Sequence, residues 1–305
     1  MKEVVNLYWY KLKEGNGNFG DELNYYLVKK LSDAKVRHII IPSRGIHYIY
    51  KSLSYIYHGV VNFKDYKKLI HQFFINNIVV AVGSVIGVPK NKKAKIWGSG
   101  IIKKDEKIHN AQFIAVRGKY TQQRLLELGF KPPKVIGDPA ILLPLVYNLH
   151  ESKKKYKLGI IPHHIHFQEV FEIIKSDKIK IINLTENIED VICQINSCEI
   201  TITTSLHGLI VSHVYGIPSL WFDFKQRPLF GDNIKFADYF SSVNIPEYKA
   251  IDYDIVNLSV KDIKEIFEQH TSLSKINCDI AVLQKSLLLV APFKVLEKYK
   301  CQKLQ

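Results

Sequence analysis

The chain has few cysteines, and their spacing excludes the usual cysteine frameworks. Four occur in 305 residues, at positions 193, 198, 278 and 301. They form no CxxC pair and have no histidines at zinc-finger spacing, so we predict neither a structural zinc site nor a disulfide-stapled domain. Reduced thiols in a reducing compartment are expected.

Long hydrophobic runs are also missing. No stretch approaches the roughly 18 apolar residues of a membrane-spanning helix. The apolar run of the opening MKEVVNLYWYK is too short for a signal peptide and carries Glu3. Low-complexity tracts and fixed-period repeats are absent, which disfavours disordered tails and solenoids. The sequence predicts a globular protein of the cytoplasm.

Acidic residues are scarce relative to basic ones: 29 Asp and Glu stand against 43 Lys and Arg, a formal net charge of +14. Such a surface attracts phosphates, nucleic acids or anionic lipid headgroups. No nucleic-acid-binding module is recognisable, so we expect no nucleic-acid partner. A lysine-rich composition can equally reflect the base composition of a genome, and the sequence leaves that alternative open.

What the chain does contain is a repeated alternation of apolar strands and helices, in two series separated by the polar, basic segment 146–155. The predicted fold is α/β, with two Rossmann-like domains facing each other across a cleft, residues 1–148 and 156–275. A final amphipathic, basic helix in residues 276–305 is expected to pack back on the first domain. Contact with an anionic membrane surface is the alternative for this helix.

The segment TTSLHGLIVSHVYGIP, residues 203–218, is the strongest candidate for a functional site. An apolar strand, Glu199–Thr203, runs into a polar turn and then a helix, whose free N–H groups favour anionic oxygens. Ser205 and His207 lie in this turn, and an imidazole suits acid–base chemistry near neutral pH. The alternative is that His207 caps the helix or fills a polar gap in the core.

A second strand–loop–helix junction lies near the N-terminus, at NFGD (18–21). Its glycines allow tight turns, and Asp21 falls at or near the start of the helix. Asp21 either caps that helix or faces the cleft and meets substrate. We carry Asn18 and Asp21 forward as candidate site residues.

Other strands of the first half also end in residues suited to ligand contact. Arg117 follows the strand Gln112–Val116, where a guanidinium can bind a carboxylate or phosphate. Two further strands end in small residues that let a ligand approach the backbone. These are Gly83, Ser84, Gly98 and Ser99.

The histidines of PHHIH, His163, His164 and His166, suggest a metal site. A carboxylate at ligand spacing is missing and the three lie in a loop, so we predict no metal. We expect one of them, His163, to line the cleft as a hydrogen-bond donor.

With these pieces in place, the chain resembles the polysaccharide pyruvyltransferase family. The similarity covers most of the chain and depends on several short motifs in a fixed order. They are NFGDELN (18–24), Gly83–Ser84, WGSG (97–100), AVRG (115–118), GDPA (137–140), SLHGLI (205–210) and GIP (216–218).

The resemblance implies a two-domain architecture similar to GT-B glycosyltransferases. It also implies transfer of enolpyruvate from phosphoenolpyruvate to a sugar as a ketal, with no cofactor or metal. The acceptor would be a glycan or lipid-linked saccharide, with peripheral contact at the inner membrane face. Arg117 would bind the donor, His207 would be the general acid, Ser205 would assist, and Asp21 would be the base towards the acceptor.

One position departs from the family pattern, since some relatives carry an arginine where this chain has Ser205. Anchoring of the donor would then depend more on Arg117, His163 or the loop with Lys225 and Arg227. Two alternatives therefore stand beside a pyruvyltransferase: a GT-B glycosyltransferase that uses a nucleotide sugar, with Asp223 towards the ribose, and a non-catalytic assembly subunit.

Overall fold

The computed structural model describes residues 2–11, 17–43, 45–59, 61, 66–149, 153–224 and 228–300. These residues form two sheets, one in each half of the chain, and every strand pairing in both sheets is parallel. The α/β class and the two parallel sheets predicted from the alternating pattern are therefore confirmed.

The first half forms a sheet of strand order β2-β1-β3-β4-β5-β6. A short 3₁₀ helix, Pro139–Leu142, follows its last strand. The other elements are β1 (Val4–Tyr8), α1 (Phe19–Leu31), β2 (Lys35–Ile39), α2 (Ile46–Tyr57), α3 (Tyr66–Phe73), β3 (Val79–Val80), β4 (Lys95–Trp97), β5 (Gln112–Val116), α4 (Lys119–Glu127), β6 (Val135–Ile136) and α5 (Leu143–Val146).

The second half forms a sheet of order β11-β10-β9-β7-β8. Its elements are β7 (Tyr156–Ile161), α6 (Phe167–Ile173), β8 (Ile179–Ile181), α7 (Ile188–Asn196), β9 (Cys198–Thr203), α8 (Leu206–Val214), β10 (Ser219–Asp223), α9 (Ile234–Ser242), β11 (Ile251–Asp252) and α10 (Val260–Gln269). The chain ends with α11 (Ile280–Leu289) and α12 (Glu297–Lys300).

The C-terminal helices pack on the first half, as predicted. Trp97 Nε1 donates to the Leu287 carbonyl at 3.0 Å, and Gln284 Nε2 donates to the Ile141 carbonyl at 2.7 Å. The expected single helix is instead two, α11 and α12, because Pro292 lies between them and cannot continue a helix. None of the described helices is long and apolar enough to cross a lipid bilayer.

The two halves share an apolar core. One buried cluster includes Leu7 and Leu23 of the first half together with Ile161 and Leu209 of the second. Leu23 belongs to the buried face of α1, and Leu209 to the almost wholly buried helix α8. This packing sets the N-terminal ends of α1 and α8 against each other, and the candidate site forms there.

Candidate functional site

The turn before α8 is fixed by the strand that precedes it. Thr203 Oγ1 donates to the Ile161 carbonyl at 2.7 Å and accepts from the Ser205 N–H at 2.9 Å. The first helical bond runs from the Leu209 N–H to the Ser205 carbonyl, so the preceding N–H groups lie at the open end of the helix. The Ser205 hydroxyl does not cap them. This end of α8 therefore offers the backbone donors of an anion site.

His207 reaches from α8 across to the first half. Its Nδ1 lies against Gly20 of α1, where an added β-carbon would come within 2.0 Å of it. Its Nε2 lies 3.8 Å from Asp138 Oδ2, with 14% of the imidazole exposed. Neither Nε2 nor Oδ2 has a hydrogen-bond partner within the described part of the chain. The imidazole therefore does not cap the helix, and its Nε2 has no hydrogen-bond partner among the described residues.

Asp138 is a site residue that sequence reasoning missed. It follows β6 and Gly137, and its Oδ1 accepts from the Ala140 N–H at 3.0 Å, capping the 3₁₀ helix. The other carboxylate oxygen, Oδ2, faces His207, and the carboxylate is fully buried. The available signal was the GDPA motif, which we used only as evidence for the family resemblance.

Asp21 lies in the first turn of α1, and Asn18 is the residue before the helix, so Asp21 is not the N-cap. Burial raises the pKa of Asp21 to about 6, against the lowering effects of the His207 charge and of a hydrogen bond from Asn18. A carboxyl group that titrates near neutral pH beside an imidazole is suited to proton transfer. The structure therefore brings Asp21 and His207 together, one from each half.

Arg117 is placed differently from the expectation. It is fully buried, and its nitrogens donate to Asp238 Oδ2 at 3.0 Å, Ser84 Oγ at 2.6 Å and the Ile101 carbonyl at 2.6 Å. Because Asp238 belongs to α9, the guanidinium joins the two halves instead of facing an open cleft. The side chain does lie at the sheet edge, but α9 covers that edge. We assign Arg117 a structural role in place of donor binding.

The small-residue turns of the first half are also filled by protein. Ser99 is fully buried; its Oγ donates to the Gly83 carbonyl at 2.8 Å and accepts from the Val85 N–H at 3.2 Å. A β-carbon on Gly98 would lie 2.3 Å from Pro139 Cδ. At Gly98 and Ser99 these contacts leave no room for a ligand, whereas an added β-carbon on Gly83 would meet nothing closer than Val85 Cγ2 at 3.9 Å.

His163 lies in the loop after β7, where its N–H donates to Thr204 Oγ1 at 2.8 Å. Burial, together with the nearby positive groups His164 and Lys235, lowers the pKa of His163 to about 3. His163 is therefore neutral at physiological pH, and its buried Nδ1 has no hydrogen-bond partner in the described chain. It can exchange hydrogen bonds with a ligand but cannot supply a positive charge.

Lys235 is a second residue that the sequence reasoning missed. It lies in the first turn of α9, partly buried, with its Nζ 5.4 Å from the Phe236 ring centre. No carboxylate among the described residues lies within ion-pair distance of it. Burial and, to a smaller extent, the Arg117 charge lower the pKa of Lys235 to about 8. An ammonium group without a counter-ion, close enough to His163 to affect its pKa, is a candidate ligand for an anion.

A cavity of about 250 Å³ opens at the carboxyl edge of the second sheet, lined among others by Thr204, Trp221 and Asp223. Lys225 and Arg227, expected near a donor, lie outside the described residues. Across the ranges that the structure describes, no three His, Cys, Asp or Glu side chains are arranged to hold a metal ion.

Where the two halves of the chain meet, the His207 imidazole lies close to the carboxylates of Asp21 and Asp138. The family model of polysaccharide pyruvyl transferase matches residues 18–226, more than half of the chain. The chain belongs to this family and is a transferase. It is also similar to the uncharacterized protein L143 of Acanthamoeba polyphaga mimivirus, at 29% identity over 308 residues, covering 98% of this chain and 94% of that protein.

Proposed function

We propose that the protein transfers the enolpyruvyl group of phosphoenolpyruvate to a sugar of a surface polysaccharide or lipopolysaccharide precursor, forming a pyruvate ketal. The observation that carries this proposal is the position of His207. Its Nε2 lies 3.8 Å from a fully buried carboxylate oxygen of Asp138, and Asp21 is close enough for the His207 charge to lower its pKa. Protonation of a carbon acceptor and deprotonation of a hydroxyl need such an acid–base set.

The reaction can be written with these residues in defined roles. His207 donates a proton to C3 of the enol, which makes C2 electrophilic. A sugar hydroxyl attacks C2 and loses its proton to Asp21, and the bond from C2 to the phosphate oxygen breaks. A second hydroxyl of the sugar then attacks C2 and closes the ketal; its proton passes to the departing phosphate, which leaves as hydrogen phosphate. The scheme uses no cofactor or metal.

The donor carries a carboxylate and a phosphate, so its site needs fixed positive charge and N–H groups. We propose that the open end of α8 with Ser205 supplies the N–H and hydroxyl donors, and that Lys235 supplies the charge. His163 would add a neutral hydrogen bond. Arg117 is left out of this set because its nitrogens are already bonded to the protein.

We further propose that the halves 1–148 and 156–275 are the two Rossmann-like domains of a GT-B-like architecture, with donor and acceptor meeting where α1 and α8 approach. The acceptor would be a glycan or lipid-linked saccharide. The protein would act in the cytoplasm, in peripheral contact with the inner membrane face. The formal net charge of +14 supports such a contact, because anionic lipids attract basic surfaces.

A GT-B glycosyltransferase that uses a nucleotide sugar is the second candidate, favoured by the cavity beside Asp223. That cavity offers little aromatic surface for a base, because Trp221 is 8% exposed and stacks on Phe236 with ring centres 3.9 Å apart. The glycosyltransferase hypothesis is therefore weaker than the pyruvyltransferase hypothesis.

One experiment separates the two candidates. The thermal unfolding midpoint is measured with phosphoenolpyruvate and, separately, with UDP, GDP and CMP sugars. A pyruvyltransferase predicts stabilisation by phosphoenolpyruvate, and phosphate release once an acceptor glycan is added. Selective stabilisation by a nucleotide sugar would replace the first proposal with the second.

A further inference from the structure

Helix α2 presents an apolar stripe to solvent. Its five most exposed large apolar residues follow the spacing i, i+3, i+4, i+7, i+11, which is one face of a helix. Each is more than half exposed. They are Ile46, Ile49, Tyr50, Leu53 and Tyr57. The opposite face, with the buried Tyr48, packs on the protein, so the stripe is additional to the face that folding requires.

Helix α3 extends this apolar surface. Ile70 and Phe74, one helical turn apart, are also more than half exposed. Between α2 and α3 lies an open groove of about 330 Å³ with almost purely apolar walls, to which Ile49, Leu53 and Phe74 contribute. We call α2 and α3 with Phe74 the apolar face. Contiguous exposed apolar surface of this extent on a folded protein marks an interaction site.

The charges around the apolar face have one sign. The segments IHYIYKSLSYIY and YKKLIHQF contain no Asp or Glu, and the only acid between residues 43 and 78 is Asp65. Lys51 and Lys67 are exposed on α2 and α3, as is His71. An amphipathic helix with an apolar stripe and basic flanks is the pattern that inserts shallowly at an anionic lipid surface. Two copies of this face would instead bring like charges together, which disfavours self-association.

Helix α2 lies near Asp21, and its inward side, which carries Tyr55 opposite the apolar stripe, is turned towards β1. Tyr55 of α2 and Asp21 are both close enough to Tyr8, at the end of β1, for their charges to raise its pKa. A surface bound through α2 would therefore be near the candidate site.

We propose that the apolar face is the docking surface for a membrane containing anionic phospholipid. The proposal builds on the membrane contact in the proposed function and assigns it to α2 and α3. The basic C-terminal helices, the earlier candidate for that contact, are packed against the first half. Docking would hold the site beside an acceptor carried on a lipid.

The test is co-sedimentation of the full chain with phosphatidylcholine vesicles, with and without phosphatidylglycerol. Binding is expected only when phosphatidylglycerol is present, and it should weaken as salt is raised. Neutralising two surface lysines, Lys51→Gln with Lys67→Gln, should reduce the partition coefficient by roughly 30-fold at about 1 kcal/mol for each lysine. Leu53→Asp with Phe74→Asp should abolish binding.

The matched control is Val282→Asp with Leu289→Asp, which changes two exposed apolar residues on α11 and should leave vesicle binding intact. Unfolding midpoints and phosphoenolpyruvate binding, both measured without vesicles, should be unchanged in the α2–α3 variants. The proposal is overturned if the native chain ignores anionic vesicles, or if the Leu53 and Phe74 variant still binds them. A native dimer that this variant converts to a monomer would also overturn it. Donor binding without vesicles tests the proposed function separately.

Discussion

Arg117 Nε donates a hydrogen bond of 3.0 Å to Asp238 Oδ2, and through this contact two fully buried charges join the halves of the chain. Asp238 also accepts from the Thr121 N–H at 2.9 Å and from Thr121 Oγ1 at 2.6 Å. Since every partner is satisfied, the pair holds α9 on the first sheet, and α9 in turn carries Lys235.

The first prediction is that Arg117→Ala lowers the free energy of unfolding by about 3–5 kcal/mol, because it leaves Asp238 buried without a counter-ion. Denaturant titration measures this, with Lys2→Ala in the exposed Lys2–Asp33 pair as the control, which should cost less than about 1 kcal/mol. If Arg117→Ala does not fold, Arg117→Lys serves instead. A variant as stable as the native chain that no longer binds donor would contradict the structural role.

The contact between Gly20 and His207 gives a second prediction. Gly20→Ala places a β-carbon 2.0 Å from Nδ1, so the imidazole must move. Overpacking at this contact should lower the free energy of unfolding by about 1–3 kcal/mol, offset by up to about 1 kcal/mol because alanine is the better helix former. The kcat should drop by more than about tenfold if His207 is the general acid, since a loss of about 100- to 10,000-fold is expected for His207→Gln. In the His207→Gln background Gly20→Ala should have almost no further effect. Independent losses would separate Gly20 from His207.

The third prediction concerns the variant Asp138→Asn. The amide oxygen can still cap the Ala140 N–H, so stability should change little, while His207 loses its anionic neighbour. The kcat should fall by about 10- to 100-fold, consistent with the value of a charged contact. An unchanged kcat would mean that Asp138 acts only as the cap of the 3₁₀ helix.

The fourth prediction follows from the raised pKa of Asp21. Because its folded-state pKa of about 6 exceeds the value near 4 of an unfolded aspartate, the native state binds more protons between these values and loses stability as pH rises through them. Asp21→Asn should therefore raise the free energy of unfolding at pH 7.5 by on the order of 1 kcal/mol and have little effect near pH 4. Exposed Asp177→Asn is the control for the amide itself. The kcat of Asp21→Asn should nevertheless fall, because Asp21 is the proposed base towards the sugar hydroxyl. A variant less stable at pH 7.5 would refute the raised pKa.

The fifth prediction concerns Lys235 and the pH dependence of donor binding. With its pKa lowered to about 8, its positive charge is lost as pH rises above that value, whereas the phosphate of the donor keeps its charge. The Kd for phosphoenolpyruvate should therefore rise above pH 8, by up to about tenfold for each pH unit. Lys235→Arg should flatten this dependence because the guanidinium stays charged, and Lys235→Met should weaken binding about 10- to 100-fold at pH 7. Calorimetry from pH 7 to 9 measures the Kd for phosphoenolpyruvate. If Lys235→Met binds phosphoenolpyruvate as tightly as the native chain does, Lys235 is excluded from the donor site.

Local pattern carried much of the architecture. The strand Gln112–Val116 has the bounds that its apolar run predicts, and the turn with Ser205 and His207 does open a helix. These features depend on residues adjacent in the chain, whose alternation and turn chemistry are visible in one sequence. The predictions that were wrong depend on contacts between residues distant in the chain. Whether Arg117 faces a ligand depends on Asp238, 121 positions away, and no local pattern contains that information.

The sequence by itself therefore determined most of the strands and helices, the parallel sheets and the family, because periodicity and short motifs encode them. Only the tertiary structure decided which polar side chains remain available for chemistry. It closed Arg117, Gly98 and Ser99 behind packed neighbours. Among the described residues it left His207 Nε2 and Asp138 Oδ2 without a hydrogen-bond partner and Lys235 without a carboxylate at ion-pair distance. The physical reason is that a side chain's availability depends on the elements that cover it, and distant parts of the chain supply those elements.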